Sequence, residues 1–78
     1  MSRFYKPLTC KEVKKILKSL GFVCRNQEGS HEQWVRNEPP PFRKVTVDCP
    51  KAPFSHMLTE SMAAQAGVSK KEFYKHLN

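Results

Sequence analysis

One histidine in this chain stands where a proton carrier would be useful. In "GSHEQW", residues 29–34, His31 follows a Gly29-Ser30 turn and opens a strand-like run. Histidine is the side chain that takes up and releases a proton near neutral pH, and a position just past a tight turn leaves room for a phosphate. Such a group can remove the proton of a 2′-hydroxyl or give one to a leaving 5′-oxygen, while Lys or Arg offsets the phosphate charge. That is RNA cleavage without a metal. The plainer alternative is a polar strand residue that happens to be histidine.

Other chemistries have less support. Cys24/His31 and Cys49/His56 both have the spacing C-x6-H, whereas structural zinc sites pair ligands as C-x2–4-C and H-x3–5-H. Cys24 also has the parity opposite to His31, so no metal site is expected. His56 and His76 lie in or beside helical segments and receive no role. The seven acids are scattered, with no pair fixed by one element. Gly21, Gly29 and Gly67 each sit at the end of an element, so no phosphate-cradling loop exists, and no cofactor is expected.

The chain has 78 residues and a formal net charge of +7, from 14 Lys and Arg against seven acids. A core of this size supplies roughly 3–5 kcal/mol, which excludes a site of many buried charges and favours one on an open surface. The charge favours polyanionic partners: RNA, DNA, an acidic protein or a charged membrane surface. It is densest at the front, where Arg3, Lys6, Lys11, Lys14, Lys15 and Lys18 face the single acid Glu12. The first residues lack the apolar core of a signal peptide, and no apolar run approaches the ~18 residues of a membrane span. Three cysteines without a C-x-x-C pair are not a disulfide framework. The expectation is a cytoplasmic protein with reduced, half-buried thiols, Cys24 and Cys49 serving as small core residues.

The positioning elements follow from local pattern. Thr9 and Glu12 form a capping box, Leu8 can staple onto Val13, and Val13, Ile16, Leu17 and Leu20 make one apolar stripe. Gly21 ends that helix. The stripe is needed for the core, which argues against the helix lying on a membrane. Residues 22–36 read as a hairpin about the "EGS" turn, the prolines of "EPPPF" interrupt, and "RKVTVDC" is a third strand. A helix capped by Ser55 runs to Gly67, and a short one follows with a Ser69–Glu72 capping box and a Val68–Phe73 staple. The class is α+β: an antiparallel meander with helices on one face. Parity puts His31, Gln33 and Val35 on one side of strand two, and Glu32, Trp34 and Arg36 on the other. Trp34 should enter the core, which turns His31 onto the open face. Arg25 and Gln27 of strand one, and Thr46 and Asp48 of strand three, are expected to join it there.

Several stretches in order, "TCKEVKKILKSLGFVCRNQEGSHEQWV", "RKVTVDCP" and "AAQAGVSKKEF", resemble the HicA mRNA interferase toxins of bacterial toxin–antitoxin systems. The shared features are the K-E-V-x-K-x-L helix ending in L-G-F, the G-S-H turn, the V-T-V-x-x-P strand and the Q-A-G-[LV]-S segment. The match runs from about Thr9 to Leu77 of one domain, 1–78. It departs at Glu28, where a basic residue is common, at "NEPPPF", at "KAPFSH", and at the extension formed by residues 1–7. The resemblance implies a double-stranded-RNA-binding-domain-like fold, α-β-β-β-α, with a three-stranded antiparallel sheet and a short extra C-terminal helix. It implies an endoribonuclease acting on mRNA with His31 as the catalytic residue, held inactive by a HicB-type antitoxin. Gly29, Ser30, Arg25, Lys14 and Lys44 are the candidate RNA-binding residues, and the free toxin is expected to be a monomer. The competing readings are a non-catalytic RNA-binding module of the same fold and a domain whose basic surface serves only an acidic protein partner.

Overall fold

The computed structural model describes residues 6–77; residues 1–5 of the amino-terminal extension, Arg3 among them, and Asn78 lie outside them. Helix α1 spans Cys10–Ser19, and strands β1 (Val23–Glu28), β2 (His31–Arg36) and β3 (Arg43–Asp48) follow. A 3-10 turn over Cys49–Lys51 leads to helix α2 (His56–Ala66) and the short helix α3 (Lys70–Lys75). The sheet is antiparallel with order β1-β2-β3, the α+β layout expected from the sequence.

Each helix begins and ends for a local reason. Thr9 accepts the Glu12 N–H at 3.1 Å while Glu12 Oε1 accepts the Thr9 N–H at 3.0 Å, closing the capping box of α1. Ser55 and Ser69 cap α2 and α3 in the same way, through Leu58 N–H and Glu72 N–H. Gly67 stops α2 in the left-handed region at φ 82°, where a β-carbon would be strained.

The core lies on the helix side of the sheet. Val13, Ile16 and Leu17 of α1, Met62, Ala63 and Ala66 of α2, and Phe73 of α3 pack with Trp34, Val45 and Val47. Each large apolar side chain so buried contributes about 1.5–3 kcal/mol, far more than repulsion among exposed lysines removes. Arg36 ties the end of α1 to the sheet: its Nη1 donates to the Leu20 carbonyl at 2.9 Å and its guanidinium stacks over Phe22 at 4.9 Å.

Four expectations need correction. Cys10 and Cys49 form a disulfide, and Cys24 is free and exposed rather than a core residue. Packing α1 across the sheet brings the Cys10 and Cys49 Cα atoms to 5.2 Å, within bridging range, a closeness that sequence spacing does not reveal. Strand β3 stops at Asp48, and Cys49 opens the 3-10 turn. A bulge between Cys24 and Asn26 shifts the register of β1 by one residue. Asn26 therefore opposes Gln33, Gln27 opposes Glu32 on the helix side, and Arg25 occupies the bulge itself, so Gln27 does not join His31. Lastly, the face opposite the core is not uniformly open: Val35, on His31's side, is buried.

Candidate functional site

The hairpin and β3 set the geometry around His31. Gly29, at φ 61°, and Ser30 form a two-residue turn that fixes β2 against β1. Register then places His31 opposite Asp48, the last residue of β3, and Gln33 opposite Thr46. His31 Nε2 lies 3.2 Å from Asp48 Oδ2, and Ser30 Oγ donates to Asp48 Oδ1 at 3.3 Å. One carboxylate thus faces both the imidazole and the turn hydroxyl. The histidine side chain remains 53% exposed, while Asp48 is 21% exposed. The imidazole is accessible and its carboxylate partner is half sheltered.

Beside this cluster runs a groove of about 220 Å³. Its sheet wall is His31, Thr46 and Asp48, and Lys51 stands at the 3-10 turn. The far wall is α2, which lies along the outer edge of β3 because Gln65 Oε1 accepts the Thr46 N–H at 3.3 Å. Thr46 Oγ1 donates to Gln33 Oε1 at 3.0 Å, linking β2, β3 and α2 into one polar chain. The groove therefore combines a proton carrier, a carboxylate to orient it and an ammonium to receive an anion.

The residues singled out from sequence divide clearly. Gly29, Ser30 and His31 come together, with Asp48 and Thr46 beside them. Lys14 does not join them. Its Nζ pairs with Glu32 Oε2 at 2.7 Å on the helix side, where Glu32 also accepts the Trp34 Nε1–H at 3.1 Å. Lys44 shares His31's side of the sheet but sits opposite Val35, four residues along β3 from Asp48, which is about 13 Å of strand. Arg25, in the bulge of β1, is separated from β3 by the whole of β2. Lys51, Ser61 and Gln65 were missed as site residues. Only the antiparallel register and the docking of α2 bring them to His31; Asp48 lies on the face that parity predicts, and its pairing with His31 comes from that register. Among the described residues no group of three His, Cys, Asp or Glu side chains is arranged to hold a metal ion, and no helix is long and apolar enough to cross a membrane.

His56 and His76 make only surface contacts. His56 meets Lys70, and His76 accepts from or donates to Ser19 Oγ at 2.8 Å while lying 3.2 Å from Glu72 Oε2. Neither reaches the groove.

The chain matches the family model described as the HicA toxin of bacterial toxin–antitoxin over residues 10–68, 59 of its 78 residues. No curated protein and no solved structure matches it. The matched span starts at the first residue of α1 and runs through the G-S-H turn, β3 and α2, so it contains every residue that lines the groove and ends before α3. The chain belongs to the HicA toxin family of bacterial toxin–antitoxin systems.

Proposed function

We propose that this toxin is an endoribonuclease that cuts mRNA in the cytoplasm with His31 as general acid/base and without a metal ion. The observation that carries the reading is the 3.2 Å approach of His31 Nε2 to Asp48 in an open groove that also holds Lys51. A carboxylate beside Nε2 favours the tautomer with its proton there, which leaves Nδ1 as the base. Nδ1 then removes the proton of the 2′-hydroxyl, whose oxygen attacks the adjacent phosphorus and expels the 5′-oxygen, which takes a proton from water while the imidazolium returns its own to solvent. The products are a 2′,3′-cyclic phosphate and a 5′-hydroxyl. Lys51 offsets charge on the phosphoryl oxygens, and Asp48 stabilises the imidazolium formed. The Gly29-Ser30 turn holds Asp48 and His31 in register.

The same groove suits inhibition. An acidic HicB-type antitoxin seated over His31 and Lys51 would exclude substrate and neutralise basic surface together, with association that is fast and weakened by salt. The reading is tested by incubating the purified toxin with a long single-stranded RNA in excess chelator. Fragments ending in 2′,3′-cyclic phosphate are expected, together with loss of cutting when the antitoxin encoded beside it is added. Intact RNA in chelator and renewed cutting on adding a divalent ion would overturn the metal-free step. RNA that is bound but never cut would favour the non-catalytic module.

A further inference from the structure

Part of the groove is not used by the acid/base chemistry. Its α2 side offers an apolar wall of Phe54, Leu58 and Met62, with Ser61 and Gln65 next to it. Phe54 and Met62 belong to the core, so that wall is fixed in place. Gln65 is oriented by the backbone, because its carbonyl is committed to the Thr46 N–H. Its two amide hydrogens are donors that remain, with no partner for Nε2 among the described residues. The groove's 220 Å³ equals about seven waters at ~30 Å³ each, room for one flat ring with part of its sugar.

We infer that this strip holds one unpaired nucleotide of the RNA and that Gln65 reads its base. The inference rests on the endoribonuclease reading for the identity of its ligand. The base lies against Leu58 and Met62, and its sugar and phosphate run towards His31 and Lys51. Gln65 presents donors, so the favoured bases carry a carbonyl oxygen on the edge they show it: uracil and guanine. Adenine carries an amine at that position, and because the Gln65 oxygen is already turned to the Thr46 N–H, the two-bond amide pairing that adenine needs is weakened rather than favoured. Gln65 is thus a specificity-determining residue for the nucleotide beside the cut bond.

Gln65→Glu tests this without removing the strand contact, since a carboxylate oxygen still accepts the Thr46 N–H and the donors become an acceptor. Wild type and variant, both checked for folding by circular dichroism, are given a pool of RNAs with each base in turn at one unpaired position. Wild type should favour uracil and guanine over adenine, and the variant should move that ratio towards adenine about tenfold, the scale of one base-edge contact. Cleavage with one unchanged base profile in both proteins overturns the role of Gln65 and leaves the endoribonuclease reading standing. Absence of any cleavage by wild type overturns that reading instead, and a binding arm then decides the pocket. There, His31→Ala protein is titrated with uridine, guanosine or adenosine monophosphate while the Gln65 side-chain amide is followed by NMR. Shifts with the uridine and guanosine nucleotides but not with adenosine support the pocket, and no shift with any of them overturns it.

Discussion

Replacing Asp48 with Asn separates orientation and charge from the acid/base group itself. Asn keeps the size and can still accept from Ser30, but it removes the negative charge 3.2 Å from His31 Nε2. Two unit charges at that distance interact by about 1.3 kcal/mol at the dielectric constant of water, and by about 5 kcal/mol at an effective constant near 20. With the histidine side chain 53% exposed, solvent screening sets the value near the lower figure. A loss of about 1.3 kcal/mol in stabilising the imidazolium is a loss of about tenfold in rate. The effect should fall on kcat and not on KM, because Asp48 repels the substrate phosphate and its removal does not weaken binding. Single-turnover cleavage of a short RNA by Asp48→Asn, His31→Ala and the double variant measures it. In the double variant the Asp48 substitution should cost nothing further, since its partner is gone. A full additional tenfold loss in the double variant, or a single variant as inactive as His31→Ala, would refute the assignment of Asp48 as a positioning residue for His31.

Other outcomes follow from the same structure. Lys14→Ala leaves the buried Glu32 carboxylate with Trp34 as its remaining close partner, and should lower stability by about 2–3 kcal/mol in urea denaturation while leaving the cleavage rate of folded protein unchanged. Cys49→Ser opens a loop closed across 39 residues and should lower stability by up to about 4 kcal/mol under oxidising conditions, with no difference from wild type in excess reductant. The Lys6 ammonium, 2.6 Å away, and the Thr9 N–H hold the Glu12 carboxyl below its ordinary value of 4.5. A depressed carboxyl stabilises the fold above its unfolded value and loses that contribution as pH falls through its folded one. Glu12→Gln, which keeps a side-chain oxygen for the Thr9 N–H but loses the charge paired with Lys6, should therefore show a stability deficit at neutral pH that shrinks in acid, as read by thermal melts across pH 2–7.

What could be read from sequence was whatever a short window decides. The Thr9–Glu12 box, the Val13-Ile16-Leu17 stripe and the Gly67 stop are interactions within one turn or two, and each element formed where its pattern placed it. The outward position of His31 was legible because Trp34 must be buried and parity does the rest. The bulge at Arg25 was not, since a one-residue slip is settled by the partner strand, and it moved Gln27 to the other side of the sheet. The Cys10–Cys49 bond, the Lys14–Glu32 pair and the placement of Gln65 on the edge of β3 all join residues 18 to 39 positions apart by packing of separate elements. Lys14 shows the consequence: a basic residue on a basic helix resembles an RNA contact until a buried carboxylate is found beneath it.

The central claim, that His31 is the group that moves the proton, is tested most directly by the cleavage rate of purified His31→Ala toxin on a labelled single-stranded RNA in chelator. The account predicts a fall of about 10²–10⁴-fold, the range of a lost general acid/base, with an unchanged circular dichroism spectrum and unchanged RNA binding. A variant that cuts the same RNA within threefold of the wild-type rate would contradict it.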